Sequence, residues 1–462
     1  MKKVIALALA ALMTVASTGC SNSKTNSGRN ADGKIIAEIG NWPTEAAPLD
    51  LERKEAQKKE FEEKYPDIEI VPNTYAYEVK SFVAKAATNQ LPGLLLNLPY
   101  TEIKTVIKNG YAADITDMAK EYGMLDSLSP QLLEMCTDEN DRLYAIPRVG
   151  YMMGIMVNKE LFKQAGLVNA DGTAKIPQTF EEVAEYASII KEKTGAAGFA
   201  MPSTSNIGGW ILLNIAWNYG VEFEKQNEDG TWTATFDTPE FHKALEWIYD
   251  LKWKKNVLPD NTVVDAKEMM SMLGTNRAAM IIGHSDWCNA LSKNYGMEKS
   301  NLAIGKIPAG PAARFSQMGG SLCILSPNLT DEQKKSIFQW LDFVGLGPKA
   351  DEETLRQGFE VDAGQGGFVF SKELFRVWES EERTALRERA SADYVNVDMK
   401  DFAEYNLDGV TLRAEPEACA QQLYSELDKV IQEILTNKDV DIPAISKKAQ
   451  ADFQANHLDK MN

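Results

Sequence analysis

The chain has 462 residues, 44% of them hydrophobic and 25% charged, with 49 Lys+Arg against 67 Asp+Glu for a net charge of −18. That length exceeds one ordinary core and points to two lobes, while the composition is that of a folded globular protein. An anionic surface of this size repels nucleic acid and anionic headgroups, so nucleic acid is excluded as a partner.

Lys2 and Lys3, the apolar run Ile5 to Ala16 and the sequence Thr18-Gly19-Cys20 read as an export signal ending at a cysteine. The run is too short to span a bilayer, so it is a removable signal and the chain works outside the cytoplasm. The small residues before Cys20 resemble the bacterial lipobox, although Ser17 stands where Leu is usual; the resemblance implies lipidation of Cys20 and anchoring to the cell membrane. Ordinary secretion is the alternative. Residues 21–33 (SNSKTNSGRNADG) contain no large apolar side chain and read as a flexible tether reaching roughly 20 Å.

From Lys34 onward, strand-like and helix-like segments alternate, the pattern of α/β layering. Residues 34–39 form a first strand, residues 51–65 a charged helix stopped by Pro66, and Ile68 and Ile70 alternate in a second strand. A helix over 81–89, a short strand over 94–96 and a helix over 101–108 follow. Start signals are clearest at Thr179 and Thr330, which head capping boxes, and at Thr238-Pro239. Leu423, Leu427, Val430, Ile431 and Ile434 mark a long helix near the C terminus.

Enzyme and metal signatures do not emerge. His242, His284 and His457 are far apart, no Cys/His cluster has zinc spacing, and the sequence Gly283 to Trp287 starts like a nucleophile elbow but ends in Trp where the strained turn needs Gly. No glycine-rich phosphate cradle occurs, so no cofactor and no metal is expected. Cys136, Cys288, Cys323 and Cys419 are even in number and could form one or two disulfides; buried free thiols are the preferred reading, because Cys323 sits in the apolar strand SLCIL.

Aromatic and polar residues stand where strands give way to loops, the place where α/β sheets bind ligands. They are Trp42, Tyr100, Trp210 and Trp287, with Glu45, Arg148, Asn206, Asp286 and Ser321 nearby. Each has a plain alternative: an indole in a core, Arg148 pairing with a surface carboxylate, Asp286 capping the helix after it. Trp217, Trp247, Trp253 and Trp340 fall in helical patterns and are expected in the core.

In order along the chain, YPDIEIV, LYAIPRVGYMMGIMVNKELFKQAGL (Leu143 to Leu167), IPQTFEEVAEYASIIKEKTG, GTNRAAMIIGHSDW and GGSLCILSPNLTDEQKKSIFQWLDFV resemble the family 1 extracellular solute-binding proteins of sugar ABC importers, the maltose-binding-protein group. Pro92-Gly93 replaces the family's Pro-Asp, and Trp287 lies four residues past Gly283. The insert Asn169 to Lys175 and the tail after Thr436 look like the longer lipoprotein members associated with oligosaccharides.

The resemblance implies a two-lobe, type II periplasmic-binding-protein-like α/β fold with hinge crossovers and a ligand cleft. Lobe one would take residues 34–147 and 304–344, lobe two 148–303 and 345–462. It implies a monomeric, non-enzymatic receptor that closes on a carbohydrate, an oligo- or disaccharide, and presents it to ABC permease subunits. Trp42, Trp210 and Trp287 would stack on sugar faces, Glu45, Arg148, Asn206 and Asp286 would bond hydroxyls, and Gly319 and Gly320, before Ser321, would let backbone N–H groups approach the ligand. The rivals are a secreted glycan-active enzyme and a ligand-sensing lipoprotein for a non-sugar solute.

Overall fold

The computed structural model describes residues 28–461; the export signal, Cys20 and residues 21–27 lie outside them. Residues 28–33, expected to be tether, are instead docked on the first lobe. Arg29 bridges to Ile35 and pairs with Glu332 at 2.7 Å, and Asn30 donates to Glu69 at 2.6 Å. Asn30 Oδ1 also accepts from the backbone of Asp32 and Lys34, so polar side chains order a stretch that buries almost no apolar surface.

The first sheet begins as a β-α-β unit. β1 (Ile35–Ile39) and β2 (Ile68–Pro72) run parallel, with Ile35 opposite Ile68, and the helix Pro48–Lys64 between them starts three residues earlier than its charge pattern suggests, at a proline suited to a first turn. β3 (Leu94–Pro99) adds parallel to β1. β4 (Ile146–Met152) leads directly into β5 (Gly154–Asn158), the centre of a second, antiparallel sheet. A small hairpin, β6 (Glu224–Gln226) and β7 (Trp232–Ala234), lies apart. β8 (Met280–Gly283) and β9 (Leu302–Lys306) flank β5, and β10 (Phe315–Leu325) returns to the first sheet antiparallel to β3 and β4, with β11 (Thr411–Arg413) along its start.

Two lobes result, each with its own core. In the first, Phe61, Leu94, Leu98, Ile324 and Trp340 pack together; in the second, Phe180, Ile211, Leu245, Tyr424 and Ile431 do so. A further cluster under the second sheet joins Met156, Ile281 and Ile304 to Phe368, Phe402 and Tyr405. β4 and β10 are the crossing strands: Met318 opposes Met152, Met153 N–H donates to Gln317 O at 3.2 Å, and Ser316 Oγ donates to Met153 O at 2.9 Å.

Two expected boundaries move. β9 pairs with β5 along Leu302–Lys306, and Ile307 belongs to the second core, so the return crossing follows residue 307 and does not fall at 304. After Gly345 the chain does not pass cleanly to lobe two either, because Val377 and Trp378 are buried in the first core and Trp378 bridges to Leu128. Cys136, Cys288, Cys323 and Cys419 are free thiols, the first three buried.

Candidate ligand-binding site

The site is organised by the helix Ile207–Tyr219, almost all of whose residues are buried. A helix apolar on every side belongs inside a lobe. Its N-terminus is held by Asp428 of the neighbouring helix Ala420–Thr436, whose carboxylate accepts from Asn206 N at 2.7 Å and Gly209 N at 2.8 Å, an anion satisfying orphan donors. Gly208 and Gly209 allow this close approach, since a Cβ on Gly208 would lie 2.6 Å from Asp428 Oδ1 and one on Gly209 2.6 Å from Tyr424 Cα.

One face of the same helix is stitched to the crossing strand β10. Asn214 Oδ1 accepts from Gln317 N at 2.9 Å and its Nδ2 donates to Gln317 Oε1 at 3.1 Å; Asn218, one turn on, accepts from Phe315 N at 2.7 Å and donates to Phe315 O at 2.8 Å. Gln317 Nε2 and Trp210 Nε1 both donate to Glu415 Oε1, at 2.6 and 2.8 Å. The indole of Trp210 is thus fixed to the hinge by a continuous hydrogen-bonded path.

Beside this path lies a cavity of about 310 Å³, large enough for one or two sugar rings. Its rings pack on one another: Tyr151 and His284 stack with centroids 3.8 Å apart, His284 and Trp287 are 4.8 Å apart, and Trp210 and Trp287 are 6.1 Å apart. Ser205, Asn206, Ile207, Glu415, Gln421 and Tyr424 complete the lining.

Burial governs the charges here. It lowers His284 to about 3, keeping the imidazole neutral, and it raises Glu415. Asp286 is pushed up to about 6 by the surrounding protein, with Ser285 and the charge of Arg148 opposing the shift. Its side chain still meets solvent. For His284 the folded value lies below the unfolded one, so the unfolded state takes up a proton first and stability is lost as pH falls from about 6.5 towards 3. Between about pH 7 and pH 5 the protein should lose about 2 kcal/mol relative to His284→Gln; urea unfolding of both proteins at the two pH values measures it, and equal losses would show that His284 charges freely in the fold.

Of the expected ligand residues, Asn206, Trp210 and Trp287 come together in the cavity. Asn206 has its amide tied to Gln421 O at 3.1 Å and Gln421 Oε1 at 3.2 Å. Asp286 precedes Trp287 at the helix Trp287–Tyr295 but makes no side-chain capping bond. Arg148, Gly319, Gly320 and Ser321 lie on the crossing strands, and Tyr100, on the turn after β3, reaches them: Tyr100 Oη donates to Val149 O at 2.8 Å, Arg148 donates to Asn97, and Arg148 Nε and Ser321 Oγ are buried without partners.

Two expectations are corrected. Trp42 is 5% exposed inside the first core, stacked on Trp340 at 6.0 Å with its N–H on Glu55, so it has no face left for a ligand. Gly319 and Gly320 do open space at the backbone, but tyrosine rings fill it: a Cβ on Gly319 would run into the Tyr151 ring and one on Gly320 would lie 2.7 Å from the Tyr100 ring. Glu45, solvent-exposed on the loop after β1, is not among the residues lining this cavity. Sequence reasoning missed Tyr151, Gln421, Tyr424 and Glu415. The first three sit in strand or helix patterns that read as structure, and Glu415 sits in a coil segment, RAEPEA, with no pattern at all.

The family model for bacterial extracellular solute-binding proteins matches residues 47–346. The chain belongs to this family. Among curated relatives of this solute-binding protein, y4oP of Sinorhizobium fredii, described as a probable amino-acid ABC transporter periplasmic-binding protein, is 26% identical over 242 residues, which is 50% of this chain and 52% of that protein. The chain thus spans about half the length of that relative. Among solved structures, the cyclic alpha-maltosyl-1,6-maltose binding protein of Arthrobacter globiformis has a TM-score of 0.64 at 17% identity, covering 92% of this chain and 99% of that one. UgpB of Mycobacterium tuberculosis, in complex with glycerophosphocholine, has a TM-score of 0.65 at 16% identity, covering 92% and 98%. These likenesses give the solute-binding protein the two-lobe α/β fold. Among the described residues no helix is long and apolar enough to cross a membrane.

Proposed function

We propose that this solute-binding protein is a lipid-anchored, monomeric receptor that captures an oligo- or disaccharide and presents it to the membrane subunits of an ABC importer. The observation that carries the carbohydrate reading is the cavity beside the crossing strands, where indole and phenol rings lie next to the fixed carboxylate of Glu415 and the hydrogen-bonded Asn206 and Gln421. Ring faces cover the apolar C–H face of a sugar, and oriented carboxylate and amide groups take its hydroxyls. The Arthrobacter structure, whose name states a maltosyl-maltose ligand, supports the same reading.

The position of the cavity beside a crossing strand supports closure on the solute. Tyr151 lines it and belongs to a crossing strand, so a solute gripped by both lobes favours the state in which both sets of contacts exist. The solute is released unchanged.

A thermal-shift screen over sugars, amino acids and peptides tests the reading. A sugar present at about a hundred times its Kd adds about 2.7 kcal/mol to stability and moves the melting point by a few degrees. A shift with amino acids or peptides alone, or cleavage products from a glycan, overturns it.

A further inference from the structure

Five of the ten residues lining the cavity carry rings (Tyr151, Trp210, His284, Trp287 and Tyr424), and only Glu415 carries a formal charge. That carboxylate is held tightly. Oε1 receives the Trp210 and Gln317 donors, and Gln317 is itself fixed by Asn214. These donors, and the Tyr424 hydroxyl beside them, are neutral, and among the described residues no lysine or arginine forms an ion pair with Glu415. The nearest imidazole, His284, is neutral, and the charge of Arg148 acts on Asp286 instead.

We infer that the solute carries a cationic nitrogen, as an amino sugar does, and that its ammonium group pairs with Glu415 against the ring faces of the cavity. A carboxylate partly withdrawn from water and given only neutral donors is held at a cost that a cation offsets far better than a hydroxyl. Aromatic faces are negative at their centres and add to the preference for a cation. Burial raises Glu415, which agrees with a charge whose partner arrives with the ligand. This inference rests on the carbohydrate reading and narrows it to one chemical class.

The test is calorimetric titration with an isosteric pair, cellobiose and the β-1,4-linked glucosamine disaccharide, which replaces each 2-hydroxyl by an ammonium at about pH 6. Wild type should bind the diamine at least about tenfold more tightly. Glu415→Gln keeps an acceptor for Trp210 and Gln317 and removes the charge, so the preference should fall to about unity while near-UV circular dichroism stays unchanged. Equal or tighter binding of cellobiose, or a preference that survives Glu415→Gln, overturns the inference and leaves the carbohydrate reading standing. Binding of choline, lost in Glu415→Gln, with no binding of either sugar keeps the cation and removes the sugar. If neither disaccharide nor choline binds, the inference falls.

Discussion

Gly209→Ala should lower the unfolding free energy by about 3 kcal/mol and disturb the cavity with it. The added Cβ would meet the backbone of Tyr424, at 2.6 Å from Cα and closer still to the carbonyl oxygen. Backbone cannot swing aside as a flexible side chain can, so the helix Ala420–Thr436 must move away. That movement takes Asp428 from its bonds to Asn206 N and Gly209 N, which are buried donors at a helix start, and it shifts Tyr424 in the cavity wall. Gly358→Ala is the control, because it lies in the helix Glu352–Gly364 with nothing within 4 Å of a new Cβ, and helix propensity alone favours it by about 1 kcal/mol. Urea midpoints measure both, and near-UV circular dichroism reports on the tryptophans of the cavity. A Gly209→Ala protein as stable as wild type would mean that the two helices do not pack at this distance.

Local chemistry made the elements legible, and the same locality limited what could be read of the site. Thr238 and Thr330 accept from the backbone three residues on, as their sequences suggest, and Thr330 with Gln333 forms the full reciprocal box. At Thr179 the expected box is only half made: Glu182 turns its carboxylate to Gln178 N, one residue outside the cap. Lobe boundaries depend on which sheet a strand joins, and nothing within Leu302–Lys306 distinguishes an edge of the second sheet from a strand of the first. Pairing with β5 decides it. The cavity wall shows the same division. Trp210 and Trp287 were visible as indoles at loop ends, whereas Glu415 acquires its meaning only from Trp210 and Gln317, which are 205 and 98 residues away in sequence.

Trp42 and Trp287 looked equivalent in the sequence and should now separate cleanly. Trp42 is almost fully enclosed, stacked on Trp340, with its N–H 2.9 Å from Glu55. Trp42→Ala removes a core indole and should cost about 3–5 kcal/mol of stability while leaving sugar affinity within about twofold. Trp287 is half-buried, packs tilted against Trp210 and His284, and occupies space that Gly283 leaves open, since a Cβ there would lie 2.8 Å from the indole. Trp287→Ala should weaken binding of a sugar ligand by about 1–3 kcal/mol, roughly 5- to 150-fold, with a smaller loss of stability than Trp42→Ala. Melting temperature and calorimetric affinity, measured on both variants with the same disaccharide, place each residue on one axis or the other. If Trp287→Ala lowers the melting point as far as Trp42→Ala and leaves affinity intact, the indole is packing for lobe two, and the stacking surface for the solute must be sought on Trp210 and Tyr151.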